Sequence, residues 1–258
     1  MLRRFGQACC IGLLLIMLDV GDANLICSDR GSSRQVFDLP RRLVAEALGT
    51  ALLLAIVIGS GIMGERLAQG HVALALLGNT VSTGAGLAVL ITAFGPLSGA
   101  HFNPVVTMVF ALRREIDGLT AAAYIAVQFV SALIGVWIAH AMFGESIMQV
   151  STKLRDGPAL AFSEAVATFG LIIAILGTLR FRPDATAFVV GLYITSAYWF
   201  TASTSFANPA VTVARSLSDS FAGIAPSSVP LFIAAQCAGA CSALALGGWL
   251  FREDEPHE

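Results

Sequence analysis

An internal repeat built on an odd number of membrane-length segments constrains this chain more than any other feature. Crossing about 30 Å of hydrocarbon at 1.5 Å per residue takes roughly 20 mainly apolar residues. Six windows meet that length, near 43–63, 72–95, 119–143, 159–179, 185–206 and 229–251. Two more apolar stretches, near 103–112 and 208–218, reach only about half a membrane thickness. The first half of the chain reads AEALGTALLLAIVIG around Glu46, GAHFNPVVT around Asn103 and YIAVQFVSALIG around Gln128. The second half repeats the order: SEAVATFGLIIAILG around Glu164, TSFANPAVT around Asn208 and FIAAQCAGACSA around Gln236. Three spans per half force the second half to enter the membrane from the opposite face, which makes an inverted repeat, the plan of channels and secondary transporters with midplane sites. The predicted fold class is an all-α membrane protein with six transmembrane helices and two re-entrant half-helices. The predicted organisation is an N-terminal extension 1–37, repeats 38–143 and 159–251, a connecting loop 144–158 and a tail 252–258.

Composition agrees with that plan. Of 258 residues, 56% are hydrophobic and 12% charged, about half the charge of a soluble domain, and the mean hydropathy is +0.79. A disordered chain carries too few apolar residues to fit. Fifteen Lys+Arg against 17 Asp+Glu, with Lys153 the only lysine, leave no basic surface for nucleic acid, so no nucleic-acid partner is expected. The five cysteines, Cys9, Cys10, Cys27, Cys237 and Cys241, give neither a disulfide framework nor a zinc spacing. With the N-terminus placed in the cytoplasm, seven arginines (41, 42, 113, 114, 180, 182 and 252) flank the inner face, and Arg66, Lys153, Arg155 and Arg215 the outer. That asymmetry predicts a multi-pass inner (plasma) membrane protein with both termini cytoplasmic. Arg3, Arg4 and the apolar run Cys10 to Leu18 have the outline of a signal peptide, but an upstream start giving a disordered leader is the favoured reading.

Asparagine is a strong N-cap and proline suits the first helical position, so Asn103-Pro104 and Asn208-Pro209 each predict a helix start. In an inverted repeat the two starts face each other near the membrane centre, and each presents about half a positive charge, which repels cations and protons. The preceding loops, Gly99 to Phe102 and Ser203 to Ala207, are non-helical at membrane depth, which is tolerated only where backbone lines a cavity or is buried in protein. Their carbonyls are expected to form a ladder of acceptors, with the asparagine amides free to donate beside it.

On these residues, namely Ser98-Gly99-Ala100-His101-Phe102-Asn103-Pro104-Val105, the second Asn208-Pro209-Ala210, the paired Glu46 and Glu164, and Gln128, the chain resembles the aquaporin or major intrinsic protein family over about residues 38–251. The resemblance implies a homotetramer in the lipid bilayer, with one pore per subunit that passes water or small uncharged solutes passively and needs no cofactor or metal. It makes Glu46 and Glu164 supports of the pore loops, although intramembrane carboxylates also serve as proton sites. It makes His101 pore-lining, and it leaves His71, His140, His257, Phe206 and Tyr198-Trp199-Phe200 as incidental or packing residues. Cys237 and Cys241 read as small packing residues of the last span.

Counted by family offsets, the outer constriction falls on Thr83, Ser196, Ser205 and Val211, with neither an aromatic ring nor the usual arginine. Four small or medium side chains predict a wider, uncharged opening than a water-selective filter, and the absence of cysteine at 205 predicts no mercurial block there. Arg215, one turn after Val211 on the same helical face, reads as an interfacial arginine, with attraction of anionic solutes to the mouth as the alternative. Valine after Asn-Pro-Ala, Thr83 and the stretches STSFANPAVTVARSLSDSF and GLYITSAYWF look like the aquaporins of bacterial arsenic-resistance operons. That resemblance implies arsenous acid or methylated arsenicals, with glycerol-like polyols as companions. A general aquaglyceroporin or water channel, or a proton-coupled transporter using Glu46 or Glu164, stands as the alternative. An enzyme is not expected, because no nucleophile–base pair is evident.

Overall fold

Proline placement and capping residues set most helix ends in the computed structural model, which describes residues 37–252. Asp38 caps α1 (Leu39–Ala68) by accepting from the Arg41 amide, and Pro40 occupies the first turn. α2 runs Val72–Ser98 and stops at Gly99, whose φ of 90° suits a residue without Cβ. After the loop to Asn103 comes α3 (Pro104–Leu112), only nine residues. Asp117 caps α4 (Gly118–Phe143) through the Leu119 and Thr120 amides, and Gly144 ends it. In the second half α5 (Pro158–Phe181), α6 (Thr186–Phe200), the seven-residue α7 (Pro209–Arg215) and α8 (Val229–Leu250) follow, again with the shortest helix third. The extension 1–36 and the tail 253–258 lie outside the described residues, and with them the leader reading and His257.

Among the described residues, five helices are long and apolar enough to cross a membrane, the last counted from Pro226. The window near 185–206 is the exception. α6 spans 15 residues, about 22 Å at 1.5 Å per residue, with a 3₁₀ turn at Pro183–Ala185 before it. Beyond Phe200 the chain leaves the helix at Thr201, turns, and enters the partly left-handed loop that reaches Asn208. Large apolar side chains such as Leu48, Val81, Phe162, Leu192 and Trp249 stay exposed on the outer faces of the helices, the arrangement a hydrocarbon surround rewards and water does not.

Packing follows the repeat. α1 lies against α2 and α4, α5 lies against α6 and α8, and α2 meets α6. Small residues permit the close crossings: a Cβ at Gly135 would overlap the Ala51 carbonyl oxygen, and one at Gly239 the Ala165 carbonyl oxygen. Where helix association has no hydrophobic drive, such backbone approach supplies the dispersion contacts that replace it. Each short helix touches long helices of both halves: α3 contacts α4 and α8, and α7 contacts α4 and α8 as well.

Candidate functional site

Glu46 and Glu164, each without exposed surface, organise the two loops in front of α3 and α7. The Glu46 carboxylate accepts from Ser98 Oγ at 2.7 Å, the His101 amide at 2.9 Å, the Phe102 amide at 2.8 Å and Gln128 Nε2 at 2.9 Å. Glu164 accepts from the Phe206 amide at 2.8 Å, the Ala207 amide at 2.9 Å and Gln236 Nε2 at 2.7 Å. The glutamines are themselves shared, Gln128 donating to Thr107 and Gln236 to Thr212. Aiming consecutive amides at one carboxylate takes left-handed backbone, and the loops adopt it at matching places. Ala100 and Phe102 have φ of 50° and 49°, and Ser205 and Ala207 both have 47°. At about 1–2 kcal/mol per non-glycine residue, that conformation persists because the carboxylates take up the amides it turns inward. Glu46 thus accepts four hydrogen bonds and Glu164 three, and in each case two of them come from consecutive amides of the loop it shapes.

The two asparagines join the halves. Each side-chain oxygen caps its own short helix, Asn103 Oδ1 accepting from the Val105 amide and Asn208 Oδ1 from the Ala210 and Val211 amides. Each amide nitrogen then donates to the opposite loop: Asn103 Nδ2 to the Ala207 carbonyl and Asn208 Nδ2 to the Phe102 carbonyl, both at 2.8 Å. The asparagine amides are expected to donate into the pore. One donor of each is instead spent on the crossed bond, and since an amide carries two N–H donors one remains for the cavity that both asparagines line.

That cavity, about 130 Å³, has room for a file of several waters. Leu53, Val57, Leu87, Val106 and Ile175 give it apolar walls, His101 sits in its lining with Nδ1 3.1 Å from Thr107 Oγ1, and Thr83, Ser205 and Val211 reach it too. Pro104, Val105, Pro209 and Ala210 are buried behind the asparagines and start the short helices.

Three expectations about the filter need correction. Ser196 does not line the cavity: it is exposed, and its hydroxyl turns back to the Tyr193 carbonyl at 2.7 Å. The inward stripe of α6 is Val190, Ile194 and Tyr198, a spacing of four, and residue 196 stands about 200° away from both neighbours in that stripe. Second, the surrounding wall is neither free of aromatic rings nor free of charge. Tyr198, whose hydroxyl donates towards Thr83 Oγ1 at 3.4 Å, Phe206 and Arg215 all line it, while Trp199 and Phe200 face outward. Third, Arg215 is no interfacial residue, being 2% exposed. Its guanidinium carbon lies 3.4 Å from the centroid of the Phe206 ring, and its Nε donates to the Ala222 carbonyl. His140, read as incidental, is fully buried and bridges the Ile147 carbonyl and the Ser218 hydroxyl. Cys237 is half-buried and Cys241 exposed.

Outside the spanning helices, the connecting segment closes over this region. Arg155 donates to the Gly223 and Ser203 carbonyls and lies 5.0 Å from the Phe206 centroid, and burial pushes its pKa down to about 10. Lys153 donates to the Phe221 carbonyl at 2.8 Å, and burial with the nearby Arg155 and Arg215 charges lowers it to about 8.

The geometry, a cavity threaded between two cross-bonded loops, is matched at the level of sequence. The profile described as major intrinsic protein covers residues 33–184. The chain belongs to the major intrinsic protein family. It is 54% identical to the aquaglyceroporin AqpS of Rhizobium meliloti (strain 1021) over 222 residues, 86% of this chain and 95% of that one. It is 31% identical to aquaporin NIP2-3 of Zea mays over 78% of this chain and 69% of the relative. A probable aquaporin, AqpM of Archaeoglobus fulgidus, is 29% identical over 83% and 98%. The solved structure of the aquaglyceroporin from Plasmodium falciparum superposes with a TM-score of 0.61 at 19% identity, covering 81% of this chain and 95% of that one, which speaks for the fold. A member of the major intrinsic protein family is a membrane channel protein and not an enzyme.

Proposed function

We propose that the protein is a passive channel for small uncharged solutes, among them glycerol-like polyols, water and arsenous acid or related arsenicals. In this reading α1, α2, α4, α5, α6 and α8 are the six spans of two inverted repeats, 38–143 and 159–251, and α3 and α7 are re-entrant half-helices meeting at the membrane centre. Subunits assemble as homotetramers in the inner membrane, with both termini cytoplasmic. The carrying observation is the crossed pair of asparagine bonds beside one cavity. It fixes a remaining amide donor of each asparagine beside the apolar side chains of Leu53, Val57, Leu87, Val106 and Ile175, so that polar groups can replace part of a solute's hydration. Val211 at the place of the usual arginine leaves the constriction open to solutes wider than water, and the 54% identity to an aquaglyceroporin supports that width.

The test is stopped-flow light scattering of proteoliposomes holding the purified chain, with water, glycerol and arsenous acid compared for wild type and Val211→Arg. Wild type is expected to pass all three without dependence on membrane potential or an uncoupler, and the arginine variant mainly water. A wild type that passes water alone sinks the wide-pore reading, and flux that collapses with an uncoupler favours the transporter.

A further inference from the structure

The cavity contains a guanidinium at a place the Asn-Pro spacing does not assign. Arg215 stands one helical turn beyond Val211 on α7, and both side chains line the same cavity. Its fixation is one-sided: Nε donates to the Ala222 carbonyl and the planar group stacks on Phe206, yet Nη1 is buried with no hydrogen-bond partner. Among the described residues no carboxylate lies within ion-pair distance of it. A buried cation with neither counter-ion nor full hydrogen bonding is among the costliest arrangements a protein keeps. A purely structural arginine has its fork filled by carbonyls or carboxylates, whereas this one lines the cavity with Nη1 left unpartnered. Ser205 Oγ, on the same wall, is likewise buried without a partner.

We infer that Arg215 is the specificity-determining arginine of this pore, delivered one turn beyond the position Val211 occupies, aimed by the ring of Phe206, and paired with Ser205 to hydrogen-bond the solute. The inference rests on the channel reading above. The solute class it selects is neutral and oxygen-rich: one oxygen accepts from the guanidinium while a hydroxyl donates to Ser205 Oγ. Polyols and arsenous acid carry both groups, whereas a solute with no acceptor oxygen is excluded. Setting the arginine one turn beyond Val211, against a ring, leaves the Val211 position apolar and carries the donor to the next turn of α7.

Glycerol and water permeabilities of proteoliposomes with wild type, Arg215→Met, Arg215→Lys and Phe206→Leu provide the test. Arg215→Met is expected to lower the glycerol-to-water permeability ratio about fivefold, the equivalent of one hydrogen bond. Arg215→Lys should fall between that variant and wild type, since it keeps the charge and loses the planar fork. Phe206→Leu, which keeps the arginine and removes its shelf, should lower the ratio too, and it decides the matter should Arg215→Met fail to fold. A merely structural role would scale both permeabilities together and leave the ratio alone. A ratio unchanged within twofold, or raised, in folded protein overturns the inference while the channel reading stands. Wild-type vesicles no more permeable than empty ones overturn both.

Discussion

Both oxygens of Glu164 are engaged by N–H donors in a place that water does not reach, and an amide in its stead brings an NH₂ group against the Phe206, Ala207 or Gln236 donors. Glu164→Gln is therefore expected to lower stability by about 1–3 kcal/mol, the range for stranding a buried donor, and to reduce water and glycerol permeability together as the loop loses its shape. Thermal unfolding in detergent and proteoliposome flux measure the two effects; an unshifted midpoint would show that the carboxylate is not what holds the loop. The roles of such residues were legible in sequence to different degrees. The Glu, Asn-Pro and Gln landmarks recur in order, so their pairing could be read directly. Ser196 could not be placed by family offsets, because which residues of α6 face inward is set by that helix's own period and rotation. The helical stripe of Val190, Ile194 and Tyr198 is the signal that would have found the right wall. Arg215 was seen to share a face with Val211, but its burial depends on Phe206 and the 222 carbonyl, which no spacing announces.

Helix crossings are the next scale, and Gly135 and Gly239 mark two of them. Gly135→Ala puts a methyl group into the Ala51 carbonyl of α1, a backbone atom that cannot swing aside as a side chain would. Overpacking of this kind costs about 1–3 kcal/mol, so the α1–α4 crossing should open and the unfolding midpoint fall. Gly78→Ala on α2, with nothing within 4 Å of the added carbon, is the control and should leave the midpoint near wild type; equal effects of the two would rule out the crossing as the cause. At this scale the sequence was most informative about the short helices, since an asparagine cap followed by proline states a start without reference to the rest of the chain. It was least informative about α6, where apolar residues continue past the helix end into the loop and hydropathy alone cannot tell the two apart.

Across the whole molecule, the link between the halves is fastened to the second half. The Ser151 amide donates to the Ser216 carbonyl, the Ala225 amide to the Lys153 carbonyl, and Thr152 bonds the Asp219 carboxylate. This gathers Lys153, Arg155 and Arg215 on one end of the cavity. Lys153 titrates near 8 in the fold against about 10.4 in an unfolded chain. The folded state thus binds fewer protons between those values, and stability from this group is depressed below pH 8 and recovered as pH rises through the window. Wild type should gain thermal stability relative to Lys153→Met between pH 7 and pH 10. A wild-type midpoint that stays level or falls relative to that of Lys153→Met over that range argues against burial of the ammonium.

The exchange between Asn103 and the Ala207 carbonyl, and between Asn208 and the Phe102 carbonyl, is the contact pattern of a two-fold dimer folded into one chain: each half gives what it receives. Each central loop is thus fastened by the other half's asparagine as well as by its own glutamate, so the two loops hold each other in register.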